Sequence, residues 1–181
     1  MKMLTIAAPL VAVFGYVGLA QAASTGTITF NGELTANTCD VIVDGQAADA
    51  TVILPTIGIN QLQTATRTAG DTGFVMALNN CKGTLQTASA FFQAGTTVDS
   101  VTGRLKNIGG NATNVSLQLL DGSSTSLSVI QAGNQNQKSN TVYQNVATGS
   151  ANLPYIVRYY AEAPTTAGTV VSNVVYSIQY Q

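Results

Sequence analysis

The carboxyl-terminal end of the chain constrains its fold more than any other feature. From position 174 onward every second residue is apolar, and the members of this set are Val174, Tyr176, Ile178 and Tyr180. Such alternation is typical of a β-strand with one buried face. The pattern runs to the last residue but one, so we expect nothing later in the chain to cover the outer edge of this strand. Because an unpaired strand edge favours aggregation, the edge is expected to be hidden or to bind another strand.

The first 22 residues have the pattern of a secretory signal peptide. Lys2 precedes an apolar run from Leu4 to Ala20, and residues 20–22 read Ala-Gln-Ala, an A-x-A cleavage site. Pro9 and two glycines interrupt the run, which favours cleavage over a membrane anchor. We therefore predict a signal peptide at 1–22, an exported chain without stable membrane insertion, and a single domain in the remainder.

Composition excludes several classes of function. Only 8% of residues are charged, the formal net charge is −1, and the chain contains neither His nor Trp. Basic residues are not clustered, so no nucleic-acid partner is predicted. Catalysis that depends on histidine is excluded, and the carboxylates are scattered along the sequence. The sequence therefore predicts no enzyme activity, no cofactor and no metal site.

The chain has two cysteines, Cys39 and Cys81. In an exported protein a disulfide between them is the expected state. The alternatives are a pair of reactive thiols or a metal site, but a metal would lack further Cys or His ligands. A bridge across this separation is expected to stabilise the fold by roughly 4 kcal/mol.

Strand-like segments recur along the whole mature chain. They lie at 26–43, 51–54, 74–78, 88–94, 115–119, 126–130, 153–161 and 169–180. Turn pairs occur at Asn31-Gly32, Asp44-Gly45 and Asp121-Gly122, and polar stretches at 60–70 and 133–140 are predicted to be loops. No segment of helical length shows a 3.6-residue period. Many short strands joined by turns predict an all-β sandwich, most plausibly immunoglobulin-like.

Four segments carry a resemblance to a known family. They are G-T-I-T-F-N-G-E-L-T-A-N-T-C at 26–39, G-F-V-M-A-L-N-N-C at 73–81, A-T-N-V-S-L-Q-L-L-D-G at 112–122, and R-Y-Y-A with the last strand at 158–181. In this order, and with the cysteine pair, they resemble the pilin subunits of chaperone–usher fimbriae, and are similar to the major subunit of type 1 fimbriae. The family's carboxyl-terminal glycine and penultimate tyrosine correspond to Gly168 and Tyr180.

The resemblance implies a specific architecture and assembly. Family members are immunoglobulin-like sandwiches that lack their last strand, which leaves a groove beside the final strand of the chain. A periplasmic chaperone lends a strand to this groove, and the amino-terminal extension of a neighbouring subunit later replaces it. Here the extension would be 23–31 and the pilin domain 32–181. The groove strand, which the chaperone also contacts, would carry Gly168, Val174, Tyr176, Ile178 and Tyr180.

The donor strand implied by the resemblance would present Ser24, Gly26, Ile28 and Phe30. Cleavage after residue 22 makes this extension short beside the fimbrial relatives, and only Ile28 and Phe30 are large apolar anchors. From spacing alone, the same two residues could belong to the first strand of a complete sandwich.

The expected function is a structural subunit of a surface fimbria that serves cell adhesion. Its partners would be neighbouring copies in a homopolymer, a periplasmic chaperone and an outer-membrane usher, and its location the bacterial surface after passage through the periplasm. The alternatives are a minor adaptor pilin, or a self-contained secreted sandwich that binds a carbohydrate or receptor through its Asn- and Gln-rich loops.

Overall fold

The computed structural model describes residues 26–32, 34, 36 and 38–181. The chain divides into two units, residues 1–33 and residues 34–181. In the first unit, residues 26–32 form neither helix nor strand. The predicted signal peptide at 1–22, and Ser24 of the predicted donor strand, lie outside the described residues.

Nine strands make up most of the regular secondary structure of residues 38–181. They are β1 (Thr38–Val43), β2 (Thr68–Lys82), β3 (Thr87–Phe92), β4 (Leu105–Lys106), β5 (Val115–Asp121), β6 (Val129–Ile130), β7 (Gln144–Asn145), β8 (Ala151–Ala161) and β9 (Tyr176–Tyr180). A 3-10 helix covers Ile59–Leu62, and a single helical turn, α1, covers Gln137–Asn140. The prediction of an all-β chain is confirmed.

The strands form two antiparallel sheets. The large sheet has the order β1-β2-β8-β5-β4, and β6 also pairs with β5. The small sheet has the order β7-β3-β9. β1 is therefore at one edge of the large sheet, and β9 is at one edge of the small sheet.

Residues from both sheets share one apolar core. On β2 the alternating residues Phe74, Met76 and Leu78 are buried, as their spacing predicted. Inward-facing residues of β3, β5 and β8 belong to the same cluster. Tyr155 of β8 is 3% exposed within this cluster, and its ring packs edge-on against Phe92 with centroids 5.1 Å apart. The two sheets therefore form a sandwich.

Four strand predictions differ from the structure, and one of them, at 126–130, is reduced to Val129–Ile130. Residues 51–54 form no strand, because Pro55 ends the run and the segment has no strand partner. Its side chains still alternate: Val52 and Leu54 pack on the core, while Ile53 is 79% exposed. Within the predicted strand 26–43, only Thr38–Val43 is a strand among the described residues. The predicted final strand at 169–180 is shorter, because only Tyr176–Tyr180 joins the sheet ladder.

The predicted loops need smaller corrections. The polar stretch 60–70 begins within the 3-10 helix and ends within β2, so only residues 63–67 are irregular. The stretch 133–140 contains the helical turn α1. The predicted turn at Asp44-Gly45 is present, with positive φ angles of 48° and 70°. In the part of the chain that the structure describes, no helix is both long and apolar enough to span a membrane.

Candidate functional site

Strand β9 has a partner on one side only. It pairs with β3, and within residues 38–181 no strand pairs with its other edge. Three facing pairs set the register: Phe92 with Tyr176, Ala90 with Ile178, and Ala88 with Tyr180. The opposite edge of β9 thus presents unpaired backbone N–H and C=O groups, which can accept a further strand.

The inward face of β9 is less covered than that of its neighbour. On β3, Ala88, Ala90 and Phe92 are at most 2% exposed. The three β9 residues opposite them pack against the same core but are only half-buried. Because facing residues of paired strands lie on the same side of a sheet, this contrast shows that the core layer is incomplete over β9.

A second group of half-buried apolar residues lies on β1 of the large sheet and in the segment that follows it. It comprises Val41 on β1 and Val52 and Leu54 in the segment that follows, and all three pack against the same core. We call the region lined by these three residues and by Tyr176, Ile178 and Tyr180 the groove. The groove is lined by apolar side chains, and on the β9 side it is bounded by an open strand edge. It can therefore bind an extended segment that pairs with β9 and carries an apolar side chain at every second position.

Two tyrosines of β9 connect the walls of the groove. The Tyr176 hydroxyl donates a hydrogen bond of 2.7 Å to the Ala48 backbone oxygen. Burial raises the pKa of Tyr176, and the nearby Asp49 carboxylate adds to that effect. Burial also raises the pKa of Tyr180, against the opposing effect of a hydrogen bond with the Cys39 backbone. Both hydroxyls therefore remain protonated at neutral pH.

The disulfide joins the edge strand β1 to β2. Cys39 on β1 is bonded to Cys81 on β2, as predicted, and their Cα atoms are 4.1 Å apart. The β1–β2 register is irregular between Thr38 and Asp40, next to this bridge. The covalent bond therefore fixes an edge strand to its sheet where the hydrogen-bond ladder is interrupted.

Two asparagines hold the chain just before β9, and sequence reasoning missed both. The Asn107 Oδ1 atom accepts the N–H groups of Val171 and Gly110 at 2.9 and 3.0 Å. The Asn111 Oδ1 atom accepts the Thr169 N–H at 2.7 Å. Their position on either side of the Gly109-Gly110 pair is a turn signal, but it does not indicate which distant segment they bind.

Gly168 and Val174 both precede β9. A Cβ atom at Gly168 would meet the Asn111 Oδ1 atom at 2.5 Å and the Ala112 backbone nitrogen at 2.6 Å. This close approach gives Gly168 a packing role within the chain. Val174 is half-buried against the core, beside the groove residues of β9.

The described residues of the predicted donor strand are exposed. Ile28 is 77% exposed and Phe30 is 88% exposed. A Cβ atom added at Gly26 would meet no atom within 4 Å. Because Ile28 and Phe30 are two residues apart, an extended backbone would place both side chains on one face.

Nothing in the described part of the chain resembles a metal centre, since no three His, Cys, Asp or Glu residues are grouped there. Two carboxylates that accept several hydrogen bonds have structural partners. Glu162 accepts two hydrogen bonds from Arg104 and one from Ser116. Asp121 accepts the backbone N–H groups of Ser123 and Val142.

Comparison with known proteins gives a consistent result. The family described as "FimA: Type-1 fimbrial protein, A" matches residues 54–181. The chain is 42% identical to the major fimbrial subunit SMF-1 of Stenotrophomonas maltophilia (strain K279a), an alignment that covers 90% of this chain and 96% of that protein. It is 33% identical to the F17 fimbrial protein of Escherichia coli, over 93% of this chain and 97% of that protein.

Solved structures support the fold. The P pilus rod subunit PapA has a TM-score of 0.60 at 15% identity, covering 79% of this chain and 99% of its own. A type I fimbria protein of Burkholderia pseudomallei has a TM-score of 0.53 at 23% identity, covering 81% and 97%. These neighbours confirm the predicted immunoglobulin-like pilin fold. The chain belongs to the type-1 fimbrial protein family.

Proposed function

We propose that this chain is the structural subunit of a surface fimbria and that it polymerises by donor-strand exchange. In this mechanism, residues 23–31 of one copy enter the groove of the next copy and pair with β9. The observation that carries the proposal is the contrast within the small sheet, where β9 is half-buried with an open edge while residues 88–92 of β3 are buried.

The energetics of the exchange favour an apolar donor. The incoming backbone supplies partners to the open N–H and C=O groups of β9. Ile28 and Phe30, which are exposed in the free chain, would become buried among the groove residues. Full burial of such a side chain is worth about 1.5–3 kcal/mol. Ser24 and Gly26 extend the same face toward the start of the mature chain without adding large apolar surface.

The geometry of the contact determines the form of the assembly. Donor segment and groove are different surfaces of the same chain, so the interface is head-to-tail. A head-to-tail contact that does not close produces a filament. This supports a homopolymeric shaft, with the copies linked without covalent bonds.

The open edge also implies that the subunit must be protected on its way to the cell surface. A subunit with an unpaired apolar strand edge aggregates unless the edge is covered. A periplasmic chaperone that lends a strand would cover β9 until an outer-membrane usher brings the next subunit. The Cys39–Cys81 bridge suits this route, because the periplasm is oxidising. The proposal includes no catalytic activity, in keeping with the structural bonds of Glu162 and Asp121.

The test is to shear the surface fraction from cells that express the chain and to compare unboiled and boiled samples on a denaturing gel. We expect a ladder of multimers that collapses to one band on boiling. Phe30→Asp should abolish the ladder, because a charge cannot enter an apolar groove. Val101→Asp is the matched control, since Val101 is 84% exposed and lies outside the donor segment.

A single monomer band for the wild type in both lanes would contradict the shaft role. It would instead support an adaptor in low copy number or a self-contained binding module. A ladder that survives in Phe30→Asp would show that the subunits associate through another surface.

A further inference from the structure

The small sheet has a second edge, on the far side of β3 from β9. Backbone groups of alternate β3 residues point to opposite edges. Thr87 and Gln93 donate toward the β9 side, to the Gln181 and Val175 oxygens. The N–H groups of Ala90 and Phe92 therefore point toward the second edge.

Strand β7 covers only the start of this second edge. It pairs with Thr87 and Ala88 and extends no further. Beyond it, side chains take the place of a strand. The Ala90 N–H donates to the Tyr155 hydroxyl at 2.9 Å. The Phe92 N–H donates to the Gln137 Oε1 atom at 3.0 Å.

Gln137 binds Phe92 as the backbone of a neighbouring strand would. While its Oε1 atom accepts the Phe92 N–H, its Nε2 atom donates to the Phe92 oxygen at 2.9 Å. A carboxamide carries the same donor and acceptor as a peptide group, so the pair reproduces one hydrogen-bonded step of an antiparallel ladder. Gln137 is only 3% exposed, and the Phe92 oxygen also accepts the Gly133 N–H at 2.8 Å.

Hydrogen bonds that lead back to β3 hold Gln137 in position. The Thr141 hydroxyl donates to the Gln137 backbone oxygen at 2.7 Å. Ser89 of β3 in turn donates its hydroxyl to Thr141 at 3.2 Å. The helical turn α1 is thus fastened to β3 at two points, on either side of the edge groups of Ala90.

We infer that Gln137 is an edge-blocking residue that restricts strand addition to β9. The inference rests on the proposed function for the β9 edge and adds the reason why a subunit accepts only one donor. A small sheet with two open edges would accept a donor from a second copy on each side. Such a subunit would form branched or sheet-like aggregates, whereas one open edge gives a linear chain.

The test measures how many donor strands one subunit binds. The mature oxidised chain is refolded with an excess of a synthetic peptide of residues 23–31, and the complexes are counted by native mass spectrometry. The wild type should bind one peptide. Gln137→Met, which keeps the length but cannot pair with Phe92, should bind two. Gln135→Met is the matched control because Gln135 is an exposed amide two positions away, and it should bind one.

Hydrogen exchange at the Phe92 amide gives a second readout. In Gln137→Met this amide should exchange about tenfold faster or more, because its acceptor is lost. If Gln137→Met does not fold, Gln137→Glu replaces it. That variant keeps an acceptor for the Phe92 N–H but sets a carboxylate against the Phe92 oxygen, so a second peptide should still bind.

The outcomes separate this inference from the proposed function. One peptide per subunit in a folded position-137 variant would overturn the inference and leave the function intact. A wild type that binds no peptide would overturn the function, while exchange at Phe92 would still show whether Gln137 closes the second edge.

Discussion

The Tyr176 hydroxyl donates a 2.7 Å hydrogen bond to the backbone oxygen of Ala48, 128 positions earlier in the chain. This bond joins β9 of the small sheet to the segment that follows β1 of the large sheet. No strand of residues 38–181 lies between these two segments. The bond therefore links the two sides of the groove directly, at a place where a complete sandwich would have a further strand between them.

Tyr176→Phe tests the contribution of that bond. The ring and its packing remain, but the Ala48 oxygen loses its donor. We expect the free energy of unfolding of the mature subunit to fall by about 0.5–1.5 kcal/mol, the usual value for one hydrogen bond. Urea unfolding measures it. Tyr160→Phe, which removes a hydroxyl from the large sheet, is the control, and equal losses in both variants would contradict a special role for Tyr176.

Much of the fold could be predicted from the alternation of apolar and polar residues, because a half-buried strand has an apolar residue at every second position. The segment at 74–78 was recognised as a strand in this way, and so were the apolar residues of β9. The segment at 115–119 shows the same alternation of residue types, although all of β5 is buried. The segment 51–54 shows the limit of the rule. Its alternation reflects packing of Val52 and Leu54 on the core, but Pro55 and the lack of a partner keep it out of a sheet.

The contact between Tyr176 and Ala48 and the closure of the second edge could not be predicted. Ala48 contributes a backbone oxygen, and no side-chain pattern marks such a contact. Gln137 lies in a stretch of polar residues that resembles any solvated loop, yet it is buried against Phe92, 45 positions away. Both contacts join residues that are far apart in the sequence and close in the fold. The residues around each position therefore do not predict the contact.

Removing the disulfide should weaken the whole domain. With Cys39 and Cys81 both changed to Ala, the loop of 42 positions is no longer closed in the unfolded chain. We expect the free energy of unfolding to fall by roughly 4 kcal/mol. Urea unfolding of the double variant measures this loss, and reduction of the wild type with dithiothreitol should reproduce it. Equal stability with and without the bridge would contradict the prediction.

The Arg104–Glu162 pair should make stability depend on pH. Burial acts to raise the pKa of Glu162, but hydrogen bonds from Arg104 and Ser116 outweigh it, so the pKa lies below its ordinary value of 4.5. A lowered pKa in the folded state stabilises the protein above pH 4.5 and ceases to do so as the pH falls through the folded value. Glu162→Gln should therefore cost about 0.5–1 kcal/mol at neutral pH, and the difference from the wild type should vanish in acid.

Unfolding by urea at a series of pH values measures this dependence. Asp71→Asn is the control, because Asp71 meets Arg158 through a single contact of 3.9 Å and is 49% exposed. Its effect should be close to zero at every pH. A Glu162→Gln effect that stays constant into acid would show that the carboxylate charge is not its cause.

Gly26→Ala separates the stability of a subunit from its assembly. A Cβ atom at Gly26 would meet no atom within 4 Å, so the free energy of unfolding of the free subunit should not change. In the proposed polymer, Gly26 lies against the groove of another copy, where an added methyl group should slow strand exchange. Gly32→Ala is a close control, since Gly32 is equally open in the free chain but follows the donor segment. The rate at which the multimer ladder forms measures the effect, and a normal rate for Gly26→Ala would exclude contact between this residue and the groove.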